Sequence, residues 1–385
     1  MGSIARRWRE LNGQDYWKNL IDPLDIDLRV NILHYGEMAQ ATYDTFNNQK
    51  ASKFLGRSLY HKGNMFSKVW LPKHSKMYEV TRFIYATSKL WAGASNMMGF
   101  VAVATDEGKA ELGRREIVIA WRGTVRPRDW LNDLDIVPVP ASPIFGGTIS
   151  STDKPDEPKV YHGSLSIYMS TNPLSRFNKS SARDQVLAEV KRLVEAFKNE
   201  EISITVTGHS LGGALGTLNA ADIVANEYNK SKERNKSSPV TAIVFASPRV
   251  GDDNFKRVIS GMEDLRLLRI CNTLDIVPHW PLVGYSDPGV ELTIDTHKSP
   301  YLKGPGDFSS WHNLEAHLHG VAGSQGSNGG FKLEVCRDLA LINKKTNNLK
   351  DQYLIPESWW CEQNNGMVQN SDGSWKFLDN EVADE

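Results

Sequence analysis

Ile202-Ser203-Ile204-Thr205-Val206-Thr207-Gly208-His209-Ser210-Leu211-Gly212-Gly213-Ala214-Leu215 is the stretch that decides the fold. It opens with a β-branched run, turns through Gly-His-Ser-Leu-Gly and continues into small residues suited to a helix. A strand that enters a helix through so short a turn holds the apex residue in a strained backbone conformation, with its side chain clear of the sheet. Gly208 and Gly212 stand where a side chain would collide with its neighbours across that turn. Ser210 at the apex reads as a nucleophile elbow, its hydroxyl beside a helix N-terminus that favours developing negative charge. Gly-x-Ser-x-Gly alone also matches ordinary loops, but a loop does not supply a strand before it and a helix after it.

Outward from the elbow, strand and helix alternate. Ser180 to Lys198 predicts an amphipathic helix with Val186, Val190, Leu193, Val194 and Phe197 on one face. Val240 to Ala246 and Leu267 to Cys271 are continuous apolar runs, which suit strands covered on both faces. The alternation from 180 to 272 predicts a parallel sheet core. Upstream, the β-rich text from Tyr78 to Ala104, a polar turn from Thr105 to Arg115 and the run Glu116 to Trp121 predict an antiparallel pair at the start of the sheet.

Residues 1–65 read as a helical, aromatic cover over the sheet, with helical spacing from Asn31 to Phe46. Asn226 to Ser238 and the glycine- and serine-rich Gly320 to Gly330 read as loops, and the polar tail after Asn364 as prone to disorder. No internal repeat or domain boundary is visible. The simplest account is one α/β unit over residues 1–385, with a C-terminal extension at 330–385.

A formal net charge of -1 gives no electrostatic footprint for nucleic acid. No apolar run reaches the ~20 residues that span a bilayer, so no transmembrane segment is expected. The N-terminus lacks the apolar core of a secretory signal, and Arg6 stands where a myristoylation motif wants Ser or Thr. Cys271, Cys336 and Cys361 are too few and scattered for a disulfide framework or metal site, and read as reduced, mostly buried thiols of a cytoplasmic protein.

A serine hydroxyl needs a base to take its proton and an acid to orient that base. In this kind of sheet both follow the serine on later loops, acid first. Asp275 comes directly after the Leu267 to Cys271 run, where a strand's C-terminal end delivers catalytic groups; Asp287 and Asp295 are competitors further along. Among ten histidines, His209 flanks the serine inside the elbow and His279 lies too near Asp275. The cluster Trp311-His312-Asn313-Leu314-Glu315-Ala316-His317-Leu318-His319 sits at a suitable distance. A helix starting near His312, capped by Ser309 or Ser310, leaves His312 on the entering loop, with His317 and His319 as the alternatives inside it. Two backbone donors are needed for an oxyanion; Leu211 supplies one by position, and Thr124 of Trp121-Arg122-Gly123-Thr124 is the candidate for the other.

With these residues assembled, a resemblance emerges. Ala120-Trp121-Arg122-Gly123-Thr124, Asp129-Trp130-Leu131-Asn132-Asp133-Leu134 and Gly208-His209-Ser210-Leu211-Gly212-Gly213 resemble the class 3 lipase family. Asn272-Thr273-Leu274-Asp275-Ile276-Val277-Pro278, His312-Asn313-Leu314-Glu315 and Pro356-Glu357-Ser358-Trp359-Trp360 are similar to its plant phospholipase A1 branch without a chloroplast transit peptide. The similarity runs from about Tyr16 to Val368.

The resemblance implies an α/β-hydrolase fold, a Ser210–Asp275–His312 triad, Thr124 as oxyanion residue, and no metal or organic cofactor. It implies a lid over Val125 to Leu134, with Trp130 and Leu131 turning outward to lipid. His317 departs from the family pattern, where an aromatic residue is expected. The implied reaction cleaves the sn-1 acyl ester of glycerophospholipids during transient contact with a membrane surface. Rival readings are a broader lipase or galactolipase, a carboxylesterase for small soluble esters, and an idle lipase-fold protein that binds lipid or a partner.

Overall fold

The computed structural model describes residues 2–88, 91, 93–125, 135–146, 157–231, 233, 237–326, 329–361 and 363–379. Seven strands, β1 (Tyr78–Thr87), β2 (Ser95–Ala104), β3 (Arg115–Trp121), β4 (Ile202–His209), β5 (Val240–Phe245), β6 (Leu265–Asn272) and β7 (Val290–Ile294), lie in chain order across one sheet. β1 with β2 and β2 with β3 are antiparallel. From β3 to β7 each strand runs parallel to the next. The helices that position the site are α1 (Ser3–Leu11), α2 (Ile26–Asp44), α3 (Asp106–Leu112), α4 (Ala182–Ala196), α5 (Leu211–Ala225) and α6 (Leu314–Gly323). A mostly parallel sheet with helices on both faces and a sharp β4–α5 elbow is the α/β-hydrolase fold.

Both faces of the central strands are buried. Ile117, Ile119 and Trp121 of β3 join a core cluster with α4 and α5, while Val118 and Ala120 join a second cluster with α2 and α6. In β5, Val240, Ala242 and Val244 face the first cluster and Ile243 and Phe245 the second. Two covered faces explain why these strands read as unbroken apolar runs. The amphipathic stretch before β4 is α4, started by Ser181, whose side chain accepts from the Asp184 N–H.

Several local expectations change. The polar turn after β2 contains α3: Thr105 caps it through the Gly108 N–H, acids fill its first turn, and Gly113 ends it at φ 78°. The N-terminal cover is less helical than its aromatic spacing suggested. α1 stops at Leu11, residues 12–24 form turns around buried Trp17, and Asp25 then caps α2 through two N–H groups.

The glycine-rich stretch from Gly320 is not all loop, because α6 runs to Gly323. A Cβ at Gly320 would lie 2.7 Å from Ile294 Cδ1, and one at Gly323 would lie 2.2 Å from Phe331 Cζ, so these glycines serve close packing. Within the polar tail, Met367–Gln369 pairs with Trp375–Phe377, and Asp379 accepts from Ser52 Oγ at 2.6 Å. Cys271 is buried, whereas Cys336 and Cys361 are exposed, contrary to the expectation of mostly buried thiols.

Candidate active site

The elbow is as strained as its sequence requires. Ser210 has φ 59° and ψ −127°, a region that side chains rarely occupy. A Cβ on Gly208 would fall 2.3 Å from Gly212 O, and one on Gly212 would fall 2.3 Å from Trp121 O. The turn closes only because both positions lack a side chain. The Ser210 N–H donates to Phe245 O at 2.9 Å, which fixes the apex to β5. α5 begins at Leu211, and the first amides of a helix have no acceptor within it, so its dipole points at the serine.

Three side chains from distant loops converge there. His312 Nε2 lies 2.9 Å from Ser210 Oγ, and His312 Nδ1 lies 2.7 Å from Asp275 Oδ2. All three are buried. The carboxylate accepts Nδ1–H, which leaves Nε2 unprotonated and facing the serine hydroxyl.

Asp275 is fixed in the turn after β6, where its N–H donates to Asn272 O at 2.9 Å and its Oδ1 accepts from the Val277 N–H at 3.0 Å. Asn272 also holds the neighbouring loops: its Nδ2 donates to Trp311 O at 2.9 Å and its Oδ1 accepts from the Thr296 N–H at 3.2 Å.

The loop that carries His312 is built differently from the expectation. Asp307, rather than Ser309 or Ser310, caps a helical turn over Phe308–Trp311, and Ser310 closes the capping box from inside. Asn313 separately caps α6 by accepting from the Ala316 N–H. His312 occupies the joint between the two, and Phe308 stacks on its ring at 5.6 Å.

The competing residues have other partners. His317 Nδ1 lies 2.9 Å from Asn313 O, and its Nε2 is 3.7 Å from Asp275 Oδ2 without a hydrogen bond. Burial lowers the His317 pKa, with Asp275 opposing the shift. His319 Nε2 pairs with Ser299 Oγ at 2.8 Å, and burial pulls its pKa down to about 3. Asp287 is bound by Arg249 and Arg269, and Asp295 caps the turn Thr296–Lys298.

Sequence reasoning missed a brace. His209 Nε2 lies 2.9 Å from the backbone oxygen of His312, and its Nδ1 lies 2.9 Å from Tyr43 Oη. Burial, followed by His312 and His317, drives the His209 pKa well down. The neutral ring therefore donates Nε2–H to His312 O and accepts the Tyr43 hydroxyl proton at Nδ1. Tyr43 stands 166 residues before His209, and no local pattern marks it.

The Arg-Gly-Thr loop passes directly under the elbow. A Cβ on Gly123 would lie 2.4 Å from His209 O and 3.3 Å from Ser210 Cβ. Arg122 pins the loop by donating to Met97 O at 2.9 Å and to Gly123 O at 2.8 Å, with its guanidinium 3.8 Å above the Phe46 ring. Thr124 follows, with its Oγ1 buried and without a hydrogen-bond partner among the described residues. Trp130 and Leu131 lie outside the described residues.

A cavity of about 1300 Å³ opens over the site, lined by Thr124, Val125, His209, Phe308 and His312. Tyr43, Trp70 and Trp359 line it as well. Among the described residues, no group of three or more His, Cys, Asp or Glu could hold a metal ion, and no helix is long and apolar enough to cross a membrane.

The fold and this elbow define an α/β-hydrolase. The chain belongs to the class 3 lipase family, whose model matches residues 118–285, and within it to the plant phospholipase A1-II group. It is 52% identical to phospholipase A1-II 1 of Oryza sativa subsp. indica over 100% of this chain and 98% of that protein. It is 50% identical to phospholipase A1-IIgamma of Arabidopsis thaliana over 99% and 94% of the two chains. Among solved structures, Lip2 lipase of Yarrowia lipolytica is 22% identical, covers 71% of this chain and 81% of its own, and has a TM-score of 0.49.

Proposed function

We propose that this hydrolase cleaves the sn-1 acyl ester of glycerophospholipids, releasing a free fatty acid and a lysophospholipid. Ser210 Oγ attacks the ester carbonyl while His312 Nε2 takes its proton. His312 then returns the proton to the departing glycerol oxygen, and a water activated by the same nitrogen releases the acid. Asp275 keeps the imidazole in the required tautomer and stabilises it when charged. The amides of Leu211 and Thr124 stabilise the oxyanion, each worth about 3–4 kcal/mol. The observation that carries this reading is the hydrogen-bonded chain from Ser210 Oγ through His312 to Asp275, with His312 lining a large cavity.

Phospholipid as substrate and the sn-1 position are supported by the names and full-length identity of the plant relatives. A lid over residues 125–134, with Trp130 and Leu131 meeting lipid, belongs to the same proposal; of that segment only Val125 is described, at the cavity wall. The exposed, unbridged thiols of Cys336 and Cys361 support a cytoplasmic location, where thiols stay reduced.

The test is hydrolysis of a phospholipid that carries different acyl chains at its two positions, with products read by mass spectrometry. The sn-1 acid is expected, and release mainly of the second acid overturns the regiochemistry. A fluorophosphonate probe is expected to label the parent and not Ser210→Ala; labelling of both would remove Ser210 from its role.

A further inference from the structure

Residues 61–77 read His-Lys-Gly-Asn-Met-Phe-Ser-Lys-Val-Trp-Leu-Pro-Lys-His-Ser-Lys-Met, with four lysines and no acid. The segment folds as a 3₁₀ turn, Lys62–Asn64, and two short α-helices, Met65–Lys68 and Pro72–Met77, with Trp70 in the turn between the two helices. Trp70 is 77% exposed and sits at φ 62°, a conformation that a non-glycine residue holds only when its surroundings impose it.

Those surroundings are visible. Met65, Phe66 and Val69 are buried, and the Phe66 ring meets Phe100 edge-on at 5.6 Å. The backbone is closed by Val69 N–H to Met65 O at 3.0 Å and Leu71 N–H to Phe66 O at 2.8 Å. The indole is therefore held outward on a firm base. Lys68, Lys73 and Lys76 of this segment are exposed and Lys62 is half-buried; among the described residues only Lys73 has an ion-pair partner, Glu111 at 2.8 Å.

Trp70, Lys68 and Leu71 also line the cavity that holds His312 and Thr124. A surface that met Trp70 would thus lie against the mouth of the site. An exposed tryptophan in a segment that carries four lysines and no acid matches the boundary of an anionic bilayer, where tryptophan settles at headgroup depth and cations meet acidic lipids.

We propose that Trp70 and the lysines at 62, 68, 73 and 76 form the docking face by which this protein seats on anionic phospholipid membranes. Docking there delivers an acyl lipid to the cavity mouth without a passage through water. The proposal rests on the lipid-hydrolase reading for its purpose, but it is tested by binding alone.

The full chain carrying Ser210→Ala, so that vesicles stay intact, is floated with phosphatidylcholine vesicles made with or without phosphatidylserine. It is expected to bind the phosphatidylserine vesicles preferentially. Adding Trp70→Ala weakens binding about ten-fold. Adding Lys68→Gln and Lys76→Gln instead weakens it roughly twenty-five-fold and reduces the lipid preference, since each lysine near such a surface strengthens binding about five-fold.

In the Ser210 protein, the paired change Lys62→Gln and Lys76→Gln, at residues outside the cavity lining, hydrolyses a short soluble ester at the parent rate. Equal vesicle binding with and without Trp70, indifference to phosphatidylserine, or loss of soluble-ester turnover in that lysine variant each overturns the proposal. A parent that binds these vesicles but attacks no phospholipid overturns the substrate reading and leaves the docking face standing.

Discussion

Around Ser210 two histidines approach one carboxylate, and they do so differently. His312 bridges Asp275 and Ser210 with hydrogen bonds at both nitrogens, whereas His317 faces Asp275 at 3.7 Å with a buried, unpaired Nε2. His312→Ala is therefore expected to lower kcat for a soluble ester by about 10⁴-fold or more. His317→Phe is expected to keep most of the activity. It also removes a buried polar atom without a partner, so its stability should match or exceed the parent's by about 1 kcal/mol. Steady-state kinetics and denaturant melts of the two variants check this, and the reverse pattern of activity would move the base to His317. His312, His317 and His319 are close enough in the chain that spacing ranks them poorly. What separates them is the joint between the Phe308–Trp311 turn and α6, which leaves only the first outside a helix.

At the scale of elements, β3 is tied to its neighbours by a buried charge. Glu116 accepts from Tyr35 Oη of α2 at 2.7 Å, Tyr78 Oη of β1 at 2.6 Å and Thr205 Oγ1 of β4 at 2.7 Å. Arg114 pairs with the same carboxylate at 2.6 Å, and both side chains are fully buried. Glu116→Ala leaves Arg114 charged and unpaired in the interior, and unfolding free energy should fall by about 3–5 kcal/mol in urea titration. A loss below 1 kcal/mol would show that Arg114 finds other partners. Nothing in Arg-Arg-Glu-Ile-Val-Ile marks this pair as interior, because polar residues at a strand's start are ordinarily solvated. The glycines of α6 misled for a related reason: their purpose is contact with Ile294 and Phe331, which lie outside their own stretch.

For the molecule as a whole, buried histidines set the acid limit. His34, His74, His209, His317 and His319 all have lowered pKa values, with burial as the leading cause; His74 is held at about 4 and His319 at about 3. Each stays neutral in the fold but takes a proton once unfolded below its usual value of about 6.5. Stability due to these groups is complete above that pH and declines as pH falls toward the folded values, by up to about 1.4 kcal/mol per pH unit per histidine. Glu37, Asp222 and Glu315, raised chiefly by burial, act in the opposite sense. The histidine window opens at about pH 6.5, above the ordinary carboxylate range, so urea stability should decrease from pH 7 to pH 5; an increase over that range would contradict the assignment. We propose that residues 1–385 fold as one unit, so the same titration should give a single transition. Asp44 with Lys344 at 2.6 Å and Asp379 with Ser52 support this by tying the C-terminal extension to the N-terminal cover.

The elbow, the parallel core and the antiparallel start of the sheet were legible in the sequence because their causes are local. A glycine is needed where a Cβ would strike the next turn, and two-sided burial writes itself as an unbroken apolar run. The same holds for the placing of Asp275, since a strand end and a turn-forming aspartate are neighbours in the chain. Tertiary structure alone decided which histidine meets the serine, that Tyr43 and His209 brace its backbone, and that Glu116 lies in the interior. Each of these is a pairing between residues tens to hundreds of positions apart. Such pairs come together only when α2, α6 and the sheet pack, and packing leaves no periodicity at either partner.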